Sequence, residues 1–438
     1  MGLNLVKFIQ KGIAGSLLPM SACDDEPAVY DDPERWTGEY SIDDETFPFG
    51  VQVGDATNNS VICSVQTEAL SVQMLLLRAD KGQWVTARER SLEDIQDGFI
   101  QWELTSLRAD TLYTIMVYVD QGYSRSTEFR TALTPYQRRI VRFGATSCLG
   151  GNWSWPSLSI ASMMRYDFFC FLGDAVYADG STTKEQYWQH WKRTLSQQGF
   201  QDITSSTSIV CTWDDHEVDN NWSWDDIGIS TRFPNALHSF RRALPQRQGP
   251  GGTGIWRRLD WGRTLSVFVL DSRGERKDDL YISTEQMEWL KTELKNRFST
   301  FALIMSSVPF TDFSPLLGNT QAEDRWQGYS QREELLQFIE DESIGGVVFV
   351  SGDFHFGEVC HVSAQGELGS HIVEVLVGPG GSFINPMGGM IPQGPQFILG
   401  LSEWNYTEFV CDPQLGTIAI SFIGDEGDVL GETVISVL

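Results

Sequence analysis

The pattern of apolar and polar positions changes near Pro135. From about residue 47 up to this proline, apolar and polar residues alternate with a period of two, which is typical of β-strands with one buried face. The clearest examples are Ser60–Val65, Phe99–Leu104 and Tyr113–Tyr118. After the proline, continuous apolar runs alternate with helix-like segments, a pattern that favours an α/β domain.

The first part of the chain predicts a small β-sandwich over residues 36–135. Within it, Leu107–Tyr113 followed by Ser124–Thr131 resembles the tyrosine-bearing corner and last strand of a fibronectin type III-like sandwich. We find no plausible cluster of ligand residues in this segment. The remaining residues, 136–438, are predicted to form a second domain.

Six apolar runs after residue 135 predict buried strands, at Ile140–Ala145, Phe168–Leu172, Ile209–Thr212, Leu265–Leu270, Ala302–Met305 and Val347–Val350. The last residues predict two more strands, at Gly416–Phe422 and Glu432–Leu438. The Gly- and Pro-rich stretch Gly378–Gly400 is interpreted either as a loop that covers a site or as a linker.

Two helices between these strands begin with capping-box patterns. Ser283 to Gln286 fits the start of a helix with the apolar positions Met287, Leu290, Leu294 and Phe298. Ser330 to Glu333 fits the start of a second helix, with Leu335, Leu336 and Ile339. We interpret both helices as scaffold.

The negative net charge of the chain argues against nucleic acids and anionic membranes as partners. Acids outnumber bases 59 to 32, a formal net charge of -27, so the surface repels nucleic acid and anionic membranes at long range. We therefore expect no specific nucleic-acid binding. If the substrate is itself an anion, cations must hold it locally, and bound metal ions are the simplest such cations. The sequence does not indicate the oligomeric state. We expect a monomer.

The N-terminus resembles a bacterial lipoprotein signal. Lys7 and Lys11 precede a short apolar run from Gly12 to Leu18, and Cys23 would be the lipidated residue. We predict a leader over residues 1–35, and hence a secreted or cell-envelope protein with a lipid anchor. The alternative is a frayed cytosolic terminus. The seven cysteines form no CxxC pair, so neither a zinc ribbon nor a disulfide framework is indicated.

Five of the six predicted strands are followed by ionisable or metal-coordinating residues. Because strand ends of an α/β sheet meet in one crevice, we expect these residues to share one site. The endings are Thr146-Ser147-Cys148, Gly173-Asp174-Ala175-Val176-Tyr177, Asp214-Asp215-His216-Glu217, Asp271-Ser272-Arg273 and Ser351-Gly352-Asp353-Phe354-His355. Several aspartates with an imidazole, a phenolate and a thiolate suit a mixed pair of ions better than one tetrahedral zinc. A two-metal centre of this kind serves the hydrolysis of phosphate esters.

These endings, in this order, resemble the motif set of the alkaline phosphatase D family of metallophosphoesterases, which belongs to the calcineurin-like phosphoesterase superfamily. The resemblance rests on Gly173-Asp174-x-x-Tyr177, Trp213-Asp214-Asp215-His216-Glu217, Leu270-Asp271-Ser272-Arg273 and Ser351-Gly352-Asp353-x-His355. It implies a metallophosphatase-type α/β sandwich, with two central mixed sheets flanked by helices, after the β-sandwich.

The resemblance also implies a metal centre. A ferric ion would be held by Cys148, Asp174, Tyr177 and His355, and Asp174 would bridge to a second ion, often calcium, that is bound by Asp215 and Asp353. Tyrosinate bound to ferric iron would colour the protein violet. His216 would approach the phosphate as general acid or hydrogen-bond donor.

Several of these roles have structural alternatives. Cys148 fits a buried thiol, Tyr177 a packing residue and His216 a structural hydrogen-bonding residue. Either Asp214 or Asp215 of the acidic pair fits the ligand position. We prefer Asp215, because the family's ligand is the neighbour of the catalytic histidine.

Two further residues are predicted to contact substrate, each with an alternative. Arg273 fits a bidentate phosphate clamp, or a partner of Asp271, Glu275 or another acid. Asn221 is close to His216 in sequence, although a turn role fits it equally.

We therefore predict a phosphoric ester hydrolase that acts on a small phosphate-ester substrate with a metal-activated hydroxide. It is expected to be a phosphomonoesterase, a phosphodiesterase or both. The competing hypothesis is a non-enzymatic acidic envelope protein in which calcium has a structural role. The two hypotheses differ in turnover, since only the first predicts it.

Overall fold

The computed structural model describes residues 41–437, apart from 81–82, 121, 151–153, 227 and 319–320. The predicted leader, including Cys23, lies outside the described residues. Within them, no helix combines the length and the apolar character that crossing a bilayer requires.

The first nine strands belong to the N-terminal part of the chain. They are β1 (Ser41–Ile42), β2 (Val51–Gly54), β3 (Val61–Gln66), β4 (Val72–Asp80), β5 (Gln83–Leu92), β6 (Phe99–Leu104), β7 (Leu112–Val119), β8 (Gly122–Tyr123) and β9 (Thr127–Arg130). Strands β1, β4, β5, β7, β8 and β9 form a six-stranded sheet, whereas β2, β3 and β6 pair with one another. The two sets share one apolar core that includes Val53, Cys63, Met74 and Ile115.

The Tyr113 hydroxyl of this part accepts a hydrogen bond from the backbone N–H of Arg108, at 2.9 Å. A tyrosine corner of the kind predicted from the sequence makes this contact. Strand β2 also pairs with a strand of the second part of the chain, where Gly54 is the partner of Ile209. Strands β2, β3 and β6 therefore extend the sheet of the second part of the chain to nine strands.

The remaining strands are β10 (Val141–Thr146), β11 (Phe168–Leu172), β12 (Ile209–Thr212), β13 (Arg257–Trp261), β14 (Leu265–Val269), β15 (Phe301–Met305), β16 (Val347–Ser351), β17 (Gly357–His361), β18 (Val373–Leu376), β19 (Phe397–Leu401), β20 (Tyr406–Asp412), β21 (Thr417–Ile423) and β22 (Val429–Ser436). The helices are α1 (Pro156–Ser162), α2 (Lys184–Leu195), α3 (Gln198–Thr204), α4 (Ile229–Ala243), α5 (Thr284–Lys295), α6 (Ser314–Leu317) and α7 (Ser330–Asp341).

Two mixed sheets form the centre of the molecule. The nine-stranded sheet has the order β22-β21-β20-β10-β11-β12-β2-β3-β6, and the seven-stranded sheet has the order β13-β14-β15-β16-β18-β17-β19. Strands β10, β11 and β12 run parallel to one another. In the second sheet, β14, β15 and β16 are also parallel.

Alternate residues of each central strand point into different cores. Phe168, Cys170 and Leu172 of β11 pack between the two sheets, whereas Phe169 and Phe171 pack outward beneath helices. This period of two explains why the strand is apolar throughout, since both of its faces are buried. The predicted α/β architecture of mixed sheets flanked by helices is present.

The two helix-start predictions have different outcomes. At α5 the Ser283 hydroxyl accepts a hydrogen bond from the backbone N–H of Gln286, at 3.1 Å, as a helix cap does. The predicted inward position of Phe298 is wrong, because the helix ends at Lys295 and the Phe298 side chain is 80% exposed. The predicted cap at Ser330 is also wrong: Ser330 lies inside α7, and no side chain caps that helix.

Candidate metal centre

The residues that follow five strands converge where the two central sheets meet. Two groups of side chains have one ligand atom per residue within 4.8 Å of one another: Cys148, Asp174 and His355, and Asp174, Asp214, Asp215 and Asp353. A third group of this kind consists of Asp174, Asp215 and His216. Asp174 belongs to all three groups, which is the position that a bridging ligand occupies.

The loops that carry these side chains have an unusual backbone. Cys148, Asp174, Asp353 and His355 all have a positive φ, between 52° and 66°. Non-glycine residues adopt this left-handed conformation at a cost of about 1–3 kcal/mol each, and it is concentrated at functional sites. Gly173 also has a positive φ, and a Cβ there would lie 2.5 Å from Cβ of Asp214. The close approach of the two acidic loops therefore requires a glycine at this position.

The surroundings of Asp174 disfavour its charged form. Its side chain is buried, and its Oδ1 atom has no hydrogen-bond partner within the described part of the chain. Burial and the nearby charges of Asp215 and Asp214 raise the pKa of Asp174 well above its usual range. A buried carboxylate without a partner is costly, and a bound cation would supply the missing one.

The other residues of the predicted ferric site surround Asp174. Burial, followed by the charge of Asp174, raises the pKa of both the Cys148 thiol and the Tyr177 phenol. The Tyr177 hydroxyl lies 3.4 Å from Oδ2 of Asp174 and 3.0 Å from the Ser382 hydroxyl. A metal ion would reverse these shifts, because a coordinated thiolate or phenolate is stabilised by the positive charge. The thiolate, phenolate, carboxylate and imidazole donors fit a highly charged iron.

Arg273 is the partner of acidic side chains, which is the second of the two roles considered for it from the sequence. Its guanidinium donates to Asp214 from Nε, at 2.5 Å, and to Asp353 from Nη2, at 3.2 Å, rather than pairing with Asp271 or Glu275. The Arg273 side chain is fully buried. The alternative role as a phosphate clamp therefore does not fit this arrangement.

The acidic pair Asp214-Asp215 divides its contacts. Asp214 is bound by Arg273 and by the Ser307 hydroxyl, at 2.8 Å. Asp215 instead accepts backbone hydrogen bonds from His216 and Asn221. Burial raises the pKa of Asp215, but the charges of Arg273 and His216 outweigh it, and the net shift is downward. Asp214, Asp215, Asp174 and Asp353 place four carboxyl groups beside one guanidinium. A bound divalent cation would favour the ionised form of all four, because carboxylate oxygens are its preferred ligands.

His216 is held by an acid that the sequence reasoning did not identify. Its Nδ1 atom lies 2.9 Å and 3.0 Å from the two carboxylate oxygens of Asp179, and its ring stacks on Tyr177 with the centroids 4.0 Å apart. Burial lowers the pKa of His216, but the hydrogen bond to Asp179 and the charge of Asp215 outweigh it and raise the pKa. This contact favours the tautomer or cation that carries a proton on Nδ1.

Glu217 is a second residue whose role was not predicted. Its buried carboxylate accepts backbone hydrogen bonds from Asp174, Ala175 and Asp214, at 3.1, 2.8 and 2.9 Å. Burial raises its pKa to about 7. Glu217 thus ties the loop after β11 to the loop after β12. Its place in the acidic stretch was visible in the sequence, but its backbone partners were not.

The Gly- and Pro-rich segment lies against the site. The backbone N–H of Ser382 donates to the carbonyl of Cys148, and Nδ1 of His355 donates to the carbonyl of Phe383, both at 2.9 Å. Asn221, in contrast, is exposed, and its backbone has a positive φ of 50°. A turn role is therefore evident for Asn221, while its contact with substrate stays a prediction.

A family model described as PhoD-like phosphatase matches residues 143–387, which is more than half of the chain. The chain belongs to the PhoD-like phosphatase family. The matched range contains the strand-end residues from Cys148 to His355, so the family predicted from the motif set is confirmed.

Individual relatives agree with this family. An alignment over 178 residues shows 27% identity to alkaline phosphatase D of Bacillus subtilis strain 168. It covers 33% of this chain and 30% of that protein, so the match spans less than a third of the relative's length. The solved structure of PhoD has a TM-score of 0.77 at 17% identity and covers 91% of this chain and 90% of its own. Purple acid phosphatase PPD1 from yellow lupin (Lupinus luteus) seeds has a TM-score of 0.64 at 14% identity, with 89% and 74% covered. Both likenesses establish the PhoD and purple acid phosphatase type of fold.

Proposed function

We propose that this chain hydrolyses phosphate esters with the help of metal ions bound by the clustered strand-end residues. The observation that carries the proposal is the convergence of Cys148, Asp174 and His355 on one side and of four aspartates on the other, with Asp174 common to both groups. Membership of the PhoD-like phosphatase family supports it.

Two ions fit the donor set. Cys148, Asp174, Tyr177 and His355 would hold a ferric ion, and the oxygen donors of Asp174, Asp215 and Asp353 suit calcium. When bound, such ions lower the pKa of a water molecule and neutralise charge on the phosphate. Asp214 and Arg273 would keep these ligands in place through their buried ion pair.

His216 is proposed as the residue that assists the leaving oxygen. Asp179 engages its Nδ1 atom, so Nε2 is the ring nitrogen that remains to donate a hydrogen bond or a proton to substrate. Asp179 holds the ring in one orientation and stabilises its positive charge. Both effects favour protonation of an alkoxide as it departs.

A polar cavity adjoins the histidine loop and gives room for a substituent on the phosphate. Its volume is about 520 Å³, and it is lined by Asp219, Asn220, Asn221, Asp225, Asp226, Ile229 and Arg232. We propose phosphomonoesterase activity, phosphodiesterase activity or both. Asn221 is the lining residue that we propose to contact substrate.

The test is turnover of 4-nitrophenyl phosphate and of bis(4-nitrophenyl) phosphate by the purified protein, with iron and calcium added. Asp174→Asn should abolish hydrolysis of both esters and lower the bound metal. Asp94→Asn, which alters an exposed aspartate of the N-terminal part, serves as the control. Unchanged turnover by Asp174→Asn would refute the site, and metal-dependent stability without any turnover would favour a structural calcium protein.

Several organisational features are also proposals. We propose a leader over residues 1–35 with a lipid anchor at Cys23, and therefore a secreted or cell-envelope location. We further propose a domain boundary near residue 135, a fibronectin type III-like topology for the first domain, a monomeric state and no specific nucleic-acid partner. Mass spectrometry of the native protein tests the leader, because an intact Met1 would refute export.

A further inference from the structure

Part of the candidate metal centre is exposed to solvent, and its half-buried residues define what we call its open face. Cys148, Asp174, Asp214 and Asp215 are buried, whereas Tyr177, His216, Asp353 and His355 are only half-buried. A phosphate that reaches the site must therefore approach across these four half-buried side chains, and the group esterified to it must project on the same side. Residues that border this face can select among esters.

Phe383 borders the open face. Its ring lies against the ring of His355, with the centroids 5.0 Å apart, yet the residue is 66% exposed. Isolated exposed aromatic residues are common on protein surfaces. The distinguishing feature of Phe383 is its contact with a half-buried residue of the candidate metal centre.

The backbone around Phe383 is fixed to the site. The Phe383 carbonyl accepts from Nδ1 of His355, and the neighbouring Ser382 bonds to Tyr177 and to the Cys148 carbonyl. On the other side, the backbone N–H of Asn385 donates to the carbonyl of His355, at 2.9 Å. A ring carried by such a segment is preorganised, so a ligand that covers it need not first order a loop.

We propose that Phe383 is a specificity-determining residue that stacks on an aromatic or similarly planar apolar group of the substrate alcohol. This inference rests on the proposed phosphate-ester hydrolysis and adds the substrate class. An aromatic pair in an offset or edge-on arrangement changes affinity by about two- to tenfold. The phosphate-binding residues would supply the remainder of the affinity for all esters alike.

The test compares two competitive inhibitors that differ only in the ring, phenylphosphonate and methylphosphonate, against the wild-type enzyme. Phe383→Ala should weaken inhibition by phenylphosphonate about two- to tenfold and leave inhibition by methylphosphonate unchanged. Phe383→Leu should have an intermediate effect, because it keeps apolar bulk but loses the ring. Phe298→Ala removes a phenylalanine that is 80% exposed beyond the end of α5 and is the matched control.

The outcomes separate the inference from the proposed function. An equal loss for both phosphonates would mean that Phe383 only supports His355, and no loss for either would mean that the ring does not contact the ligand; each result overturns the inference while hydrolysis persists. A wild-type protein that hydrolyses no phosphate ester with iron and calcium present would refute the proposed function, and the inference would fall with it.

Discussion

Glu358 provides a sharp test of the electrostatics beside the site. It lies on β17, three residues after His355, and is fully buried. Neither of its carboxylate oxygens has a hydrogen-bond partner among the described residues. A Cβ added to Gly400 on the neighbouring strand would lie 2.4 Å from Oε2 of Glu358, so the carboxyl group packs directly against that backbone. Burial raises the pKa of Glu358 from 4.5 to about 9.

The direction of the resulting pH dependence follows from the proton balance. Above pH 4.5 the unfolded chain loses the Glu358 proton, whereas the folded protein keeps it up to about pH 9. The free energy of unfolding therefore falls as the pH rises through this window, by about 1.4 kcal/mol per pH unit. At a pH of about 8 the accumulated loss is roughly 5 kcal/mol. Below pH 4.5 the penalty is absent, because both states are protonated.

Glu358→Gln should remove this penalty, since the amide has nearly the same shape and does not ionise. We expect the variant to be more stable than wild type by several kcal/mol at about pH 8, and the difference to disappear near pH 4.5. The measurement is urea unfolding followed by tryptophan fluorescence, at pH values from 5 to 8. A stability difference between the two proteins that is the same at all these pH values would refute the reasoning.

Glu374 on the adjacent strand is the matched control. It is equally buried, but its carboxylate accepts hydrogen bonds from the backbone N–H groups of Phe310 and Thr311 and from the Ser351 hydroxyl. Burial also raises the pKa of Glu374, but these hydrogen bonds oppose the shift. Glu374→Gln leaves one oxygen to serve the donors, so it should destabilise the protein by about 1–3 kcal/mol. Opposite signs for the same chemical change at about pH 8 would show that hydrogen bonding, rather than charge removal in general, decides the effect.

Three further predictions concern the site. Asp179→Asn should lower the steady-state kcat for alkyl phosphates about 10- to 100-fold, and that for 2,4-dinitrophenyl phosphate much less, because only poor leaving groups need the His216 proton. Equal losses of kcat for the two substrates would contradict this role. Glu217→Gln should lower the free energy of unfolding of the metal-free protein by about 1–3 kcal/mol in urea titrations, since one backbone N–H loses its acceptor. Tyr177→Phe should remove the visible absorption band of the iron-loaded protein. Tyr187→Phe, which alters a buried tyrosine that is not a predicted metal ligand, should retain the band. A band that is unchanged in Tyr177→Phe would exclude the phenolate ligand.

The central strands could be predicted from sequence because both of their faces are buried. The runs Phe168–Leu172 and Ile209–Thr212 are strands with the predicted bounds. Continuous apolar runs of this length leave little choice of secondary structure when helices alternate with them. Edge strands were harder: Arg257–Trp261 carries three charged residues and was not predicted. Only its pairing with β14 makes it a strand.

The roles of Asp179 and Glu217 could not be predicted, because they depend on contacts between loops. Asp179 lies 37 residues before His216 and looks like part of an Asp-Gly turn. Glu217 binds backbone groups, which carry no signal in the sequence. The ambiguity at Asp214 has the same origin: its partner Arg273 is 59 residues away, and strand periodicity says nothing about side-chain direction within a turn.

The stretch Trp213–Glu217 shows why one short motif was informative without being a complete site. Its side chains bond to residues that follow two other strands. The Trp213 indole bonds to Asp271 and Asp214 to Arg273, both after β14. His216 bonds to Asp179 and Glu217 to the backbone of Ala175, both after β11. Asp215 accepts hydrogen bonds from the backbone N–H groups of His216 and Asn221, and Arg273 approaches its carboxylate at 3.9 Å. Of the two aspartates of this stretch, it is the one whose oxygens are less committed to the side chains that the structure describes. Because the neighbours of Asp215 are fixed by distant partners, its carboxylate can be held close to Asp174 despite their mutual repulsion. The fold thus holds the acidic side chains close together although they repel one another. A bound cation would relieve this repulsion, and the free energy released would contribute to metal affinity.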